Sequence, residues 1–283
     1  MRDNSGRLAL VLGLLGVATS GPFFVMSKLD PYAAVVWRTL IAGLLAVLVA
    51  WLRGALDVPT VRRHARGLLF SGLLLGPHFL LWVKAFDLTD YASNLLLLVA
   101  QPVSAAILDR LLGRSLPRNA ALSLALALTG LLLVAGADIS LGPRALLGDA
   151  CVLTGFVGAL FYVVGREARL ALSMDTFMGV TFLIACATAL PVALLAHAPL
   201  WGYAPESYAW LSALIVITTL GGHGLLNYAS RTLSLFTVNI IIVLEPLIAI
   251  LLGAWLFGAS ISWLQALGGL LLSAAVVPLL RSA

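Results

Sequence analysis

Arg38, His78, His223 and Glu245, side chains capable of ionic or acid–base chemistry, are predicted near mid-depth in long apolar runs of this sequence. An ionisable group held in such a run neutralises, finds a partner or faces a polar cavity. Glu245 has two readings. In one it exchanges a proton or binds a substrate amine. In the other it pairs with Arg38, or stays a neutral acid bonded to backbone beside Pro246. Arg38 is a structural cation or a carboxylate binder. The histidines change charge near neutral pH when modestly perturbed, so they line a cavity, shuttle protons or form interhelical hydrogen bonds.

Neutral polar and aromatic groups lie at a similar depth in the runs. His78 and Trp82 are one helical turn apart. Thr219, His223 and Asn227 recur every four residues and share a helix face. Asn94 and Gln101 also fall on one face, Asn239 precedes Glu245, Trp37 precedes Arg38, and Thr19-Ser20 and Tyr162 complete the set. The candidate cavity residues are Ser20, Trp37, Arg38, His78, Trp82, Asn94, Gln101, Tyr162, His223, Asn227, Asn239 and Glu245. Trp82 and Tyr162 form an aromatic wall or simply pack between helices. Asn94 and Asn239 cap helix breaks or share a packing role.

The elements that must position these groups follow from composition. Of 283 residues, 61% are hydrophobic and 10% charged, with a mean hydropathy of +1.07. A soluble domain carries roughly 25% charged residues, so lipid is the solvent for most of this surface. Ten apolar spans of the necessary length are predicted at 8–26, 32–52, 67–86, 91–112, 119–137, 146–166, 174–196, 208–230, 235–257 and 263–280. The first run follows Arg2 and Arg7, as in a signal peptide, but it is long for one and the repeat described next needs it as a helix. Cys151 and Cys186 lie in apolar runs without metal-ligand spacing and read as small core residues.

Residues 76–94, GPHFLLWVKAFDLTDYASN, match residues 221–239, GGHGLLNYASRTLSLFTVN. Gly76 falls on Gly221, His78 on His223 and Asn94 on Asn239, and Gln101-Pro102 matches Glu245-Pro246 after one residue of slippage. Two units of five spans result, 1–140 and 141–283. Five is odd, so the second unit crosses the membrane upside down relative to the first. The expected fold is all-α, ten transmembrane helices in two inverted five-helix repeats around a central cavity at their interface.

With the N-terminus cytoplasmic, thirteen arginines fall on the inner side: 2, 7, 53, 62, 63, 66, 110, 114, 118, 166, 169, 231 and 281. Only Lys28, Lys84 and Arg144 fall outside. This asymmetry supports an inner-membrane protein with both termini cytoplasmic. It also accounts for the net charge of +5 without nucleic acid as a partner.

Several stretches together resemble the EamA-type branch of the drug/metabolite transporter superfamily. They are TSGPFFVMSK, Trp37-Arg38, SNLLLLVAQPVSAAILDRLLG and TVNIIIVLEPLIAILLGAWLFG, set in two five-helix halves. The sequence departs from that pattern near Thr19, where a tryptophan is frequent, and at Arg114, where a glutamate is frequent. The resemblance implies export of amino acids or related metabolites, as by the YddG-type exporters of aromatic amino acids.

Motif absences agree with transport. No G-x-x-x-x-G-K-[ST], G-x-S-x-G, H-E-x-x-H or C-x-x-C occurs, which argues against ATP-driven work, enzymatic chemistry and a bound cofactor. The expected partners are a small-molecule substrate, the lipid bilayer and the proton as a candidate coupling ion. An uncoupled facilitator, an importer, a multidrug carrier, an enzyme acting on a lipid-linked substrate and a structural membrane subunit stand as alternatives.

Overall fold

Asp30 precedes Pro31, and its carboxylate accepts from the amides of Tyr32 (2.9 Å) and Ala33 (3.2 Å). Proline in a first turn lacks only an N–H that would have had no intrahelical partner. Asp57, two residues before Pro59, accepts from the Thr60 amide at 3.2 Å, and Asp90 accepts from the Ala92 amide at 2.9 Å. Ser262 and Gln265 form a reciprocal capping box: the Gln265 amide donates to Ser262 Oγ, and the Ser262 amide to Gln265 Oε1.

These caps open helices in a computed structural model that describes residues 2–98, 120–139, 141–154, 160, 164–232 and 244–281. All regular structure among the described residues is helical. In chain order the helices are α1 Arg2–Ala18, α2 Ser20–Ser27, α3 Pro31–Leu52, α4 Val58–Arg63, α5 Ala65–Ala85, α6 Tyr91–Leu97 and α7 Ala120–Ile139. Then come α8 Pro143–Leu153, α9 Arg166–Ala171, α10 Met174–Leu195, α11 Pro205–Ala213, a π-helical segment Leu214–Gly222, α12 His223–Thr232, α13 Glu245–Phe257 and α14 Trp263–Arg281.

Six stretches among the described residues are long and apolar enough to cross a bilayer: Ser5–Ser27, Pro31–Leu52, Ala65–Ala85, Ala121–Ile139, Met174–Leu195 and Pro205–Leu226. The apolar helices Glu245–Phe257 and Trp263–Ala275 are shorter. The spans expected at 91–112, 146–166 and 235–257 run into residues outside the described set.

Two expected spans are interrupted. The first breaks at Thr19, because Pro22 has no N–H for the carbonyl four residues back and its ring crowds that carbonyl. At the break the Thr19 amide bonds to Gly16 O, three residues back, at 3.3 Å. The span expected at 208–230 passes through the π-helical segment, where Thr219 Oγ1 donates to Leu214 O, five residues back, at 3.0 Å. The two interruptions face each other. A Cβ on Gly16 would lie 2.8 Å from Gly222 Cα, and one on Gly222 2.7 Å from Val17 N. Such small-residue contacts let membrane helices approach backbone to backbone.

Elsewhere α10 packs on α3 and α5, and α14 on α7. The α7–α14 approach is equally close: a Cβ on Gly130 would sit 2.8 Å from Gly268 O. Trp51, Trp201, Trp255 and Trp263 stand exposed at helix ends or adjoining loops, as interfacial tryptophans do.

Candidate functional site

Arg38 occupies the middle of α3 and is only 3% exposed. A buried guanidinium needs partners, because stripping its hydration costs several kcal/mol, on the order of what its new contacts return. Its Nε donates to Thr219 Oγ1 at 2.9 Å and its Nη1 to Ser20 Oγ at 3.4 Å. The cation lies over the Phe79 ring (4.7 Å from Cζ to centroid) and near that of Trp82 (6.0 Å).

The partners come from the interrupted helices. Ser20 begins α2 just past the break at Thr19, and Thr219 lies within the π-helical segment. Thr19 Oγ1 and Thr218 Oγ1 approach to 2.5 Å, joining the same two interruptions next to Arg38's partners. π-Helical turns recur at functional positions because they re-aim side chains from an otherwise regular helix. Here the segment turns Thr219 onto Arg38.

Glu245, His78 and His223 complete the electrostatic group. The charge of Arg38 acts on each of them. Arg38 and Glu245 form no direct ion pair among the described residues, so they act on each other across space. The side chains of all three are half-buried. His78 follows Pro77 inside α5, and its ring lies 5.6 Å from that of Phe79. Gly76 seats this part of α5 on α10, where a Cβ would collide with Thr188 Oγ1.

A crevice of about 350 Å³ is lined by Leu45, Val49, Arg53, Asp175, Met178, Leu220, Gly224 and Tyr228, among others. Leu45, Val49 and Arg53 follow Arg38 on one face of α3. Leu220 and Gly224 adjoin Thr219 and His223. The crevice thus runs along the Arg38 face toward the end of the bundle where Arg53 pairs with Asp175 at 2.9 Å.

The remaining sequence candidates divide. Trp82 is buried against Phe86, and its Nε1–H has no acceptor among the described residues. Asn94 is fully buried and donates to Trp82 O at 3.3 Å. The last turn of α5 is tight, with Phe86 N bonded to Val83 O, and Asn94 takes the carbonyl that this leaves over. Trp37 turns away from the group: its Nε1 donates to Leu200 O at 2.8 Å and its ring meets Trp201 edge-on. Gln101, Tyr162 and Asn239 lie outside the described residues, as does the side chain of Asn227. Sequence reading missed Phe79, whose type alone does not distinguish a ring beneath a cation from one in a core.

The profile of the EamA-like transporter family matches residues 4–136 and again residues 147–281. The chain belongs to this family. This EamA-like transporter is 28% identical over 272 residues to an uncharacterised transporter of Archaeoglobus fulgidus, covering 96% of this chain and 95% of that one. It also shares its fold with a protein known from a crystal structure. That likeness has a TM-score of 0.64 at 16% identity, over 98% of this chain and 96% of the other. An EamA-like transporter is a multi-span membrane protein that handles a small molecule, and the two matches make it a protein of two repeats. Each repeat supplies part of the site: Ser20, Arg38, His78 and Trp82 from the first, Thr219, His223 and Glu245 from the second.

Proposed function

We propose that this EamA-like transporter is a secondary transporter that moves small zwitterionic solutes by alternating access. The favoured cargo is an amino acid with an apolar or aromatic side chain, exported across the inner membrane. The observation that carries this reading is the buried Arg38, bonded to one hydroxyl from each repeat and near enough to Glu245 for the two charges to act on each other. Two of its five N–H groups bond to Ser20 and Thr219, and the others can receive a carboxylate. Glu245 offers an acceptor for an ammonium group. Phe79 and Trp82 supply an aromatic wall for the remainder.

The inverted arrangement of two five-span units, 1–140 and 141–283, is part of the proposal. It is supported by packing that recurs with the halves exchanged. α5 packs on α10 while its counterpart, the π-helical segment, packs on α3. α1 packs on α12 while α8 packs on α5, and α1 packs on α13 while α8 packs on α6. Exchange of this kind gives two similar ways of opening, one to each side. The crevice along α3 offers the path from the Arg53 end, which the arginine asymmetry assigns to the cytoplasm. The proton is the proposed coupling ion, with Glu245 and the histidines as its carriers.

Purified protein in liposomes, given a panel of labelled amino acids, tests the reading. Saturable uptake of a zwitterionic solute is expected. Flux equal to that of empty liposomes for every amino acid and related metabolite overturns it.

A further inference from the structure

Away from the Arg38 site, a second polar group lies where the α5–α6 turn meets the α7–α8 connection. Thr89 Oγ1 is 3.0 Å from Asp138 Oδ2 on α7 and 2.7 Å from Asp149 Oδ1 on α8. All three residues are buried; Asp138 is 1% and Asp149 4% exposed. Gly148 seats α8 directly on this turn, since a Cβ there would lie 2.7 Å from Thr89 N.

A hydroxyl carries one hydrogen and can donate to only one of two carboxylates. The second contact is a hydrogen bond only if that carboxyl is protonated and donates to the Thr89 oxygen. The outer oxygens say the same: Asp138 Oδ1 and Asp149 Oδ2 are buried and have no hydrogen-bond partner among the described residues. Two ionised carboxylates in this position would be like charges facing each other without water, an arrangement that neighbouring buried acids avoid by sharing a proton.

The surrounding charges do not relieve the pair. Asp90 adds negative charge that acts on Asp149, and it is itself held by Gln265 Nε2 at 2.9 Å. Arg144 at the start of α8 gives Nη2 to Asp87 O at 3.0 Å, and Lys84 pairs with Asp87 at 2.8 Å. From α14 the neutral Gln265 faces this end, its amide shared between Asp90 and Ser93. Cys151, partly buried, lies two residues after Asp149 on α8.

We propose that Asp138 and Asp149 bind a single proton between them across Thr89, in the order carboxyl O–H, threonine hydroxyl, carboxylate, and that this proton fastens the α5–α6 turn to α7 and α8. The site is a proton-binding station separate from the Arg38 site. Loss of the proton places two buried negative charges on one hydroxyl, so the fastening is present at low pH and is lost as pH rises.

The test uses full-length protein in detergent, with Glu245→Gln as background so that the acid beside Arg38 does not contribute. Infrared absorption in H₂O and D₂O reads protonated carboxyl groups, and thermal melting is followed across pH. Asparagine copies the protonated acid, because its amide donates to Thr89 at every pH. A protonated-carboxyl band that vanishes in both Asp149→Asn and Asp138→Asn is expected. So is a melting temperature that falls with rising pH in the background protein and stays level in either variant. Should one variant fail to fold, the other and the background's own band-against-pH titration carry the test. An unchanged band in the variants, or the same pH profile with and without the acid pair, overturns the proposal. So does a rise in melting temperature with sodium or magnesium at fixed pH that disappears in the variants, since the site would then hold a metal cation. Neither readout involves transport, so the outcome is separate from that of the transport reading.

Discussion

Arg38 Nε donates to Thr219 Oγ1 at 2.9 Å, across the boundary between the two repeats and onto a π-helical turn. The bond ties a fixed cation to a helix segment whose hydrogen bonding is already irregular. Thr219 in turn donates to Leu214 O at 3.0 Å, so orienting the cation and holding the π turn are one interaction. Any movement of one repeat against the other would have to keep or remake this contact.

Replacing Arg38 should therefore cost more than replacing its partner. Arg38→Gln removes charge-assisted bonds worth about 1.5–3 kcal/mol each, and solute affinity in liposome uptake should fall roughly 10- to 100-fold on that scale. Thr219→Val removes an acceptor while leaving the cation, and should lower uptake without abolishing it. Equal loss in both variants would place the function in the bond rather than in the charge.

Glu245→Gln should separate coupling from recognition. The amide keeps the size of the side chain but cannot give up a proton. Counterflow between equal solute pools should persist in this variant, while stimulation by an imposed pH gradient disappears. A wild-type rate insensitive to the gradient would leave Glu245 as a ligand only.

The Gly16–Gly222 contact predicts a steep steric response. A Cβ at Gly222 would lie 2.7 Å from Val17 N, whereas one at Gly224 meets nothing within 4 Å. Overpacking of this sort costs about 1–3 kcal/mol. Gly222→Val should lower the melting temperature in detergent. Gly224→Ala, in the adjoining helix, should be neutral or stabilising by up to about 1 kcal/mol through helix propensity.

Asn94 caps a carbonyl that no backbone amide reaches. Asn94→Leu strands Trp82 O in a dry environment, and a buried group left so costs about 1–3 kcal/mol. The variant should melt earlier and label faster at cysteines placed on the α5–α6 turn. Asn94→Ser, short of the carbonyl but able to hold water there, should recover part of the loss.

Local chemistry made parts of the fold legible. Asp30-Pro31 and Asp57-Val58-Pro59 announce helix starts, and the caps stand there because an aspartate before a first turn has free amides to bind. The break at Thr19 inside the span expected at 8–26 follows from the N–H that Pro22 lacks. Trp37 and Arg38 are adjacent in sequence, but successive helical residues point about 100° apart. One therefore meets the α10–α11 loop while the other reaches Thr219. The Thr89–Asp138–Asp149 group has no signature in the sequence, because each member sits near a helix end, where acids and threonines are ordinary.

By itself the sequence determined that this chain is helical and lipid-solvated, in two related halves, with a few ionisable groups stranded in apolar runs. Those properties depend on composition, on period and on contacts within one or two turns. Tertiary structure decided which stranded groups meet. Arg38 and Thr219 are 181 residues apart and Asp138 and Thr89 are 49 apart, and no local preference sets the distance between them. Close approach at Gly16 and Gly222, and the π turn that re-aims Thr219, bring the first pair together. The packing of α8 on the turn before α6 brings the second.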